Sequence, residues 1–382
     1  MKILHIISSL DIKYGGPPLS VYLLTKGLIQ KNITTTLVTF MPSKANTDNT
    51  FNDKFIKTLG VSNYSRFSYT NELLKYLKEN NDFDLFHGHG LWQYPNYKMA
   101  MFARKVKKPY IISPRGMLEP WSLEQNKYIK KLAMMLYQKN DLQNTACLHA
   151  TSSMEGNNIR NLKYTNPIAV IPNGIIVQDY SFFSEKNNLT KKTVLFLSRI
   201  HPKKGIEILI DTWASINQQL KKNWQIIIAG TGSRDYIDSL KKIITYKNLS
   251  YEITFVNPKY GIDKINLFRS ADVFVLPTFS ENFGNVVAEA LASGLPVITT
   301  KGTPWEDLNK FNAGWWIDIG VEPLKQALLE AINLSDKERI EMGINGRKLV
   351  EENYSIDIVS EKMIKLYKWI LLKTDKPDFI FT

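Results

Sequence analysis

The feature that most constrains this chain is a pattern of short apolar runs separated by helix-length segments, present in the first half and again in the second. In the first half the runs fall at residues 3–8, 35–40, 83–87, 110–113, 149–152 and 168–171, with helical segments at 19–30, 72–79 and 96–106. In the second they fall at 194–198, 224–229, 253–256, 273–277 and 296–299, with helical segments at 206–218, 236–247, 263–270, 286–292 and 323–333. Short β-rich runs without polar alternation are strands covered on both faces, and strands alternating with helices build parallel sheets. The expectation is an α/β chain of two Rossmann-like, doubly wound domains facing across a cleft, with any ligand at the carboxyl ends of the strands. Ile171-Pro172-Asn173-Gly174 is a turn signal and 178–192 reads as a polar linker, so the domains are expected at 1–170 and 171–382. A C-terminal helix at about 356–372 is expected to pack back on the first domain, with Tyr367 and Trp369 as packing residues.

Composition removes several classes. With 44% hydrophobic and 12% aromatic residues, 382 residues suffice for two cores, and disorder is excluded. Cys147 stands alone, so no disulfide framework exists and a reducing compartment is expected. No run of about 18 apolar residues is present. The opening Met1-Lys2-Ile3-Leu4-His5-Ile6-Ile7 is too brief for a signal sequence and reads as a buried strand in a cytoplasmic protein. The net charge is +13, and +11 of it sits in residues 1–170. Much of the excess lies in Arg104, Lys105, Lys107, Lys108, Lys127, Lys130 and Lys131, beside Trp121, Tyr128, Ile129, Leu132, Met135 and Leu136. Such a segment suits an anionic membrane surface, with a nucleic-acid surface or a solvated helix face as the alternatives.

The most informative stretch is Glu281-Asn282-Phe283-Gly284-Asn285-Val286-Val287-Ala288-Glu289, which links a buried strand to a helix. Backbone N–H groups from Phe283, Gly284, Asn285 and Val286 open the helix, a position that suits a phosphate. Glu281 before the helix and Glu289 a turn into it are poor phosphate ligands, and fit neutral sugar hydroxyls. Arg199 and Lys204 bracket the entry to the helix after the first strand of the second half, where cations neutralise a diphosphate. Gly15-Gly16, between strand and helix, permits close backbone approach. His87 and His89 share one side of a strand, so a metal site is conceivable, but no third ligand is evident and no Asp-x-Asp motif is present. His5 and His149 read as satisfied core histidines.

Together, Arg199…Lys204, ENFGNVVAEALASGLPVI, Pro172-Asn173-Gly174 and Gly15-Gly16 resemble the retaining glycosyltransferases of family 4, which have the two-domain GT-B fold. SPRGMLEPW (113–121), TPWEDL (303–308) and Gly314-Trp315-Trp316 resemble a subgroup that builds bacterial surface polysaccharides such as O-antigen, capsule or exopolysaccharide. The resemblance implies α-retaining transfer from a UDP- or GDP-linked sugar to a hydroxyl of a glycan acceptor, such as an undecaprenyl-diphosphate-linked oligosaccharide, at the inner membrane face. It implies no metal and no cofactor beyond the donor. Arg199 and Lys204 would hold the diphosphate, Glu281 the transferred sugar, Glu289 the ribose, and Gly15 and Gly16 the diphosphate from the first domain. Many members carry a histidine after the strand at 110–113; here Arg115 takes that position, with His89 beside it on the acceptor or sugar side. Lys204→Ala is expected to lower turnover far more than stability. A nucleotide-sugar epimerase of the same architecture is the alternative enzyme, and a basic nucleic-acid-binding protein the alternative class.

Overall fold

The computed structural model describes residues 1–11, 15–42, 51–61, 67–180 and 191–381; the centre of the expected linker lies outside them. The chain divides into two compact units, Met1–Gly174 with Ile356–Thr382, and Ile175–Ser355. The boundary therefore follows Gly174 instead of preceding Ile171, and the last 27 residues, counted from sequence with the second domain, belong to the first. The reason is packing: a Cβ at Gly174 would meet the Ile356 side chain at 2.6 Å, so the turn and the C-terminal helix lie against each other.

The first unit is a sheet of eight strands: β1 (Lys2–Ile7), β2 (Thr34–Pro42), β3 (Ile56–Val61), β4 (Leu85–His89), β5 (Tyr110–Ser113), β6 (Cys147–Ala150), β7 (Ile168–Val170) and, from the far end of the chain, a two-residue strand at Ile380–Phe381. Their order is Ile380–Phe381, β7, β6, β5, β4, β1, β2, β3, and only the C-terminal strand is antiparallel to its neighbour. Side chains alternate between two cores. Leu4 and Ile6 join Phe86, Ile112 and Leu148 on one face. Ile3 joins Leu85, Ile111 and Cys147 on the other, closed by Val359, Met363, Leu366 and Tyr367 of the helix Ile356–Leu372. That helix also meets Gly16–Gln30 at Gly27, where a Cβ would stand 2.3 Å from Ser360 Oγ. Burial on both faces explains the unbroken apolar runs, each fully buried Leu or Ile contributing about 1.5–3 kcal/mol.

The second unit holds β8 (Lys192–Leu197), β9 (Trp224–Ala229), β10 (Ile253–Val256), β11 (Val273–Leu276), β12 (Val297–Thr300) and β13 (Gly314–Ile317), in the order β10-β9-β8-β11-β12-β13, all parallel. In both sheets the strand order reverses at the first strand, beside β1/β4 and beside β8/β11, which creates the crevice where doubly wound sheets take their ligands.

Candidate active site

In the second unit the expected residues gather at that reversal. After β8 the chain passes Arg199, makes a 3₁₀ turn over Pro202–Lys204 and enters the helix Ile206–Ser215 through Gly205. Gly205 has φ 69°, and a Cβ there would lie 2.0 Å from the Pro277 carbonyl oxygen, so only glycine lets the turn approach β11. The Lys203 carbonyl accepts from Thr278 Oγ1 and Phe279 N, both at 2.9 Å, fastening the lysine turn to the loop after β11. Lys204, only 4% exposed, pairs with Glu281. Glu281 N donates to the Gly302 carbonyl (2.8 Å), and Trp305 Nε1 donates to the Phe283 carbonyl (2.6 Å), so the turn after β12 holds the loop from behind.

Gly284, at φ 81°, caps the helix Asn285–Ala292, and Asn285 and Val286 are partly exposed at its start. The Phe283 side chain, by contrast, is core, packed on Trp305 and Tyr354. Glu289 is buried, with Lys264 Nζ 2.5 Å from its carboxylate. Tyr180 hydrogen-bonds the same carboxylate; burial first, then the Glu289 charge, holds its phenol far above the usual range. The helix is backed by Asp336–Asn353, whose Gly343 and Gly346 admit contact with Gly294 and Leu291. Arg199 is exposed and lines an open pocket of about 320 Å³ with His201, Thr231, Gly232, Ser233 and Tyr236. Among the described residues it pairs with neither Glu281 nor Glu289. Desolvation and the charges of Arg199, Lys204 and Lys203 lower the His201 imidazole.

In the first unit, Gly15 (φ 93°) precedes the helix that begins at Gly16, and no side chain caps it. Arg115 (φ 57°) and Gly116 (φ 77°) occupy the two central positions of the turn Pro114–Met117, closed by Met117 N on the Pro114 carbonyl. Arg115 Nη2 donates to His89 Nδ1 (3.1 Å) and Nη1 to Asn173 Oδ1 (2.5 Å).

The parallel register of β1 on β4 sets His5 opposite His87, and a chain of hydrogen bonds follows. It runs Arg115 Nη2, His89, His5, Tyr367 Oη, His87, Ser113 Oγ, His149 and the Ile171 carbonyl, with links of 2.6–3.1 Å. A guanidinium only donates and a carbonyl only accepts, so the direction is determined. The network assigns each of the four imidazoles one proton, on Nε2, and an acceptor at Nδ1. Burial, reinforced by the Arg115 charge, lowers His5 and His149 to about 3 and holds His87 and His89 well below their ordinary value.

Two expectations change here. The parallel register supplies the third histidine that was not evident in the sequence: potential ligand atoms of His5, His87 and His89 lie within 4.8 Å of one another. A cation there would compete with the chain, which engages both nitrogens of each ring. Tyr367, expected only to pack, also joins His5 to His87 through its hydroxyl. Lys264, Tyr180, Trp305, Asn173 and the Tyr367 hydroxyl were not foreseen as site neighbours.

Comparisons with known proteins bear on the family and the fold. A model described as Glycosyltransferase Family 4 matches residues 14–179, and one described as Glycosyl transferases group 1 matches 177–349. The capsular polysaccharide biosynthesis glycosyltransferase CapM of Staphylococcus aureus is 29% identical over 229 residues, which is 56% of this chain and 59% of CapM. The aligned stretch thus spans little more than half of that relative. Sucrose-phosphate synthase of Thermosynechococcus elongatus has a TM-score of 0.77 at 18% identity, covering 98% of this chain and all of the other. HepE of Anabaena, solved in complex with UDP and glucose, has a TM-score of 0.73 at 16% identity, covering 96% and 99%. The two parallel-sheet units are those of the GT-B fold. Among the described residues no helix is long and apolar enough to cross a membrane.

Proposed function

Because this chain belongs to the family 4 glycosyltransferases, we propose that it moves a sugar, with retention of configuration and without a metal, from a UDP- or GDP-linked donor to a hydroxyl of a lipid-linked glycan in bacterial surface-polysaccharide synthesis. The observation that carries the donor reading is the meeting of Lys204, Glu281 and the Glu289 helix where the order of the second sheet reverses. There Lys204 and Arg199 neutralise the charge that grows on the departing diphosphate, the effect with the largest catalytic leverage in such sites. Phe283–Val286 contribute backbone N–H groups, Glu281 faces sugar hydroxyls, and Glu289 accepts from the ribose. The UDP bound to HepE and the role in CapM's name support a nucleotide donor and a polysaccharide product.

The acceptor side falls to the first unit, with Gly15, Gly16, His89 and Arg115. Its membrane partner is argued from Tyr128, Ile129, Leu132, Met135 and Leu136, which are 56–87% exposed beside exposed Lys127, Lys131 and Lys139. This combination of apolar contact and positive charge suits anionic lipid. Incubation with UDP- and GDP-sugars and a lipid-linked glycan extract, in EDTA, should give an α-linked product. A β-linked product, or transfer only with added metal, contradicts the reading.

A further inference from the structure

Arg115 carries a charge without a direct counter-ion among the described residues. Its acceptors, His89 Nδ1, Asn173 Oδ1 and Ser20 Oγ at 3.4 Å, are all neutral, and among the described residues no carboxylate lies within ion-pair distance. Glu155, the carboxylate whose field reaches it, already accepts from Gly116 N, Thr151 N and Thr151 Oγ1. Nε–H is closed off from solvent without a partner. The side chain is also held in place. The turn that carries it has two consecutive residues at positive φ, one of them not glycine, a conformation that persists only where the surroundings enforce it. The one-directional histidine chain ends on its Nη2, and none of those neutral rings can neutralise it.

We propose that Arg115 is an oxyanion-binding residue of the first unit, its charge balanced by a carboxylate or phosphate group of a substrate. An oxyanion would take the second Nη2 hydrogen, which has no acceptor among the described residues, and displace Ser20 from its 3.4 Å contact with Nη1. This rests on the glycosyltransferase reading, and the anion has two sources: a phosphate group of a substrate, or the carboxylate of a uronic acid.

The test is calorimetric titration of the full chain with inorganic pyrophosphate, with glucuronate, and with glucose as the uncharged control. Wild type should bind one of the two anions and not glucose, and the anion bound identifies the source. Arg115→Gln should bind it at least tenfold more weakly. Arg115→Lys, which keeps the charge and a donor to His89, should fold as wild type and still lose several-fold. Binding of neither anion by wild type, or equal binding by the Arg115 variants, overturns the proposal. Nucleoside-diphosphate binding that weakens in Glu289→Ala but not in Arg115→Gln, with neither probe bound, overturns this site alone. Loss of nucleotide binding altogether removes the glycosyltransferase reading as well.

Discussion

Lys204 and Glu281 form a nearly buried ion pair, 77 residues apart in sequence, that joins the loop after β8 to the loop after β11. The pair changes what a single substitution reports. Lys204→Ala leaves a carboxylate without its partner, which in buried pairs costs about 3–5 kcal/mol, so stability falls along with activity. The ion pair thus adds a stability cost to the loss of turnover expected from the sequence. Lys204→Met with Glu281→Gln should recover most of the melting temperature, while turnover stays about 10²–10³-fold down, as when one charge-stabilising donor is removed. Thermal melts and initial rates on the singles and the double check this. Full activity in the double contradicts it.

Stability should depend steeply on pH below neutrality. His5, His87, His89 and His149 are lowered in the folded chain, by burial first, whereas in the unfolded chain they titrate near 6.5. Below 6.5 the unfolded state binds protons that the folded state refuses. The stabilisation is therefore complete above 6.5 and is lost as pH falls, for His5 and His149 down to about 3. Asp141, raised to about 6 by burial, takes up one proton in the folded state and opposes this. The net of about three protons gives a slope of at most roughly 4 kcal/mol per pH unit. Melting temperatures from pH 8 to 5 should drop sharply below 6.5; a flat profile contradicts the assignment of neutral rings.

Tyr367→Phe removes the hydroxyl that accepts from His5 and donates to His87. Two buried groups lose their partners, at about 1–3 kcal/mol each. A lower melting temperature is expected, with histidine ¹⁵N shifts that no longer report a single Nε2–H tautomer. Unchanged shifts contradict the directional chain.

Charge reversal at Lys127 and Lys131, or Tyr128 and Ile129 changed to serine, should abolish sedimentation with phosphatidylglycerol vesicles at low salt. These side chains are exposed, so folding should be unaffected. Wild type that stays in the supernatant contradicts the membrane reading.

The strands were legible because burial on both faces makes them unbroken apolar runs, and the Lys204, Glu281 and Glu289 positions because each lies on a local strand–turn–helix motif. Other features depend on distant partners. His5 and Tyr367 meet across 362 residues, and Lys264 reaches Glu289 from another helix. The helix Asp336–Asn353 was not foreseen; its Gly343 and Gly346 serve close packing against Gly294 and Leu291. The edge strands β3 and Ile380–Phe381 were missed as well; the first alternates buried and exposed residues weakly, and the second is two residues long. The apolar stretch Gly314–Ile317 was read as a motif and not as the strand β13.

The central claim is that the second unit binds a nucleotide diphosphate with Glu289 on the ribose. The most direct measurement is a thermal-shift panel of UDP, GDP, ADP and CMP on wild type and Glu289→Ala, each against its own ligand-free baseline. A ligand at 100 times its dissociation constant adds about 2.7 kcal/mol. One diphosphate stabilising wild type, and stabilising Glu289→Ala distinctly less, is the predicted result. Equal stabilisation of both proteins, or none by any nucleotide, contradicts it.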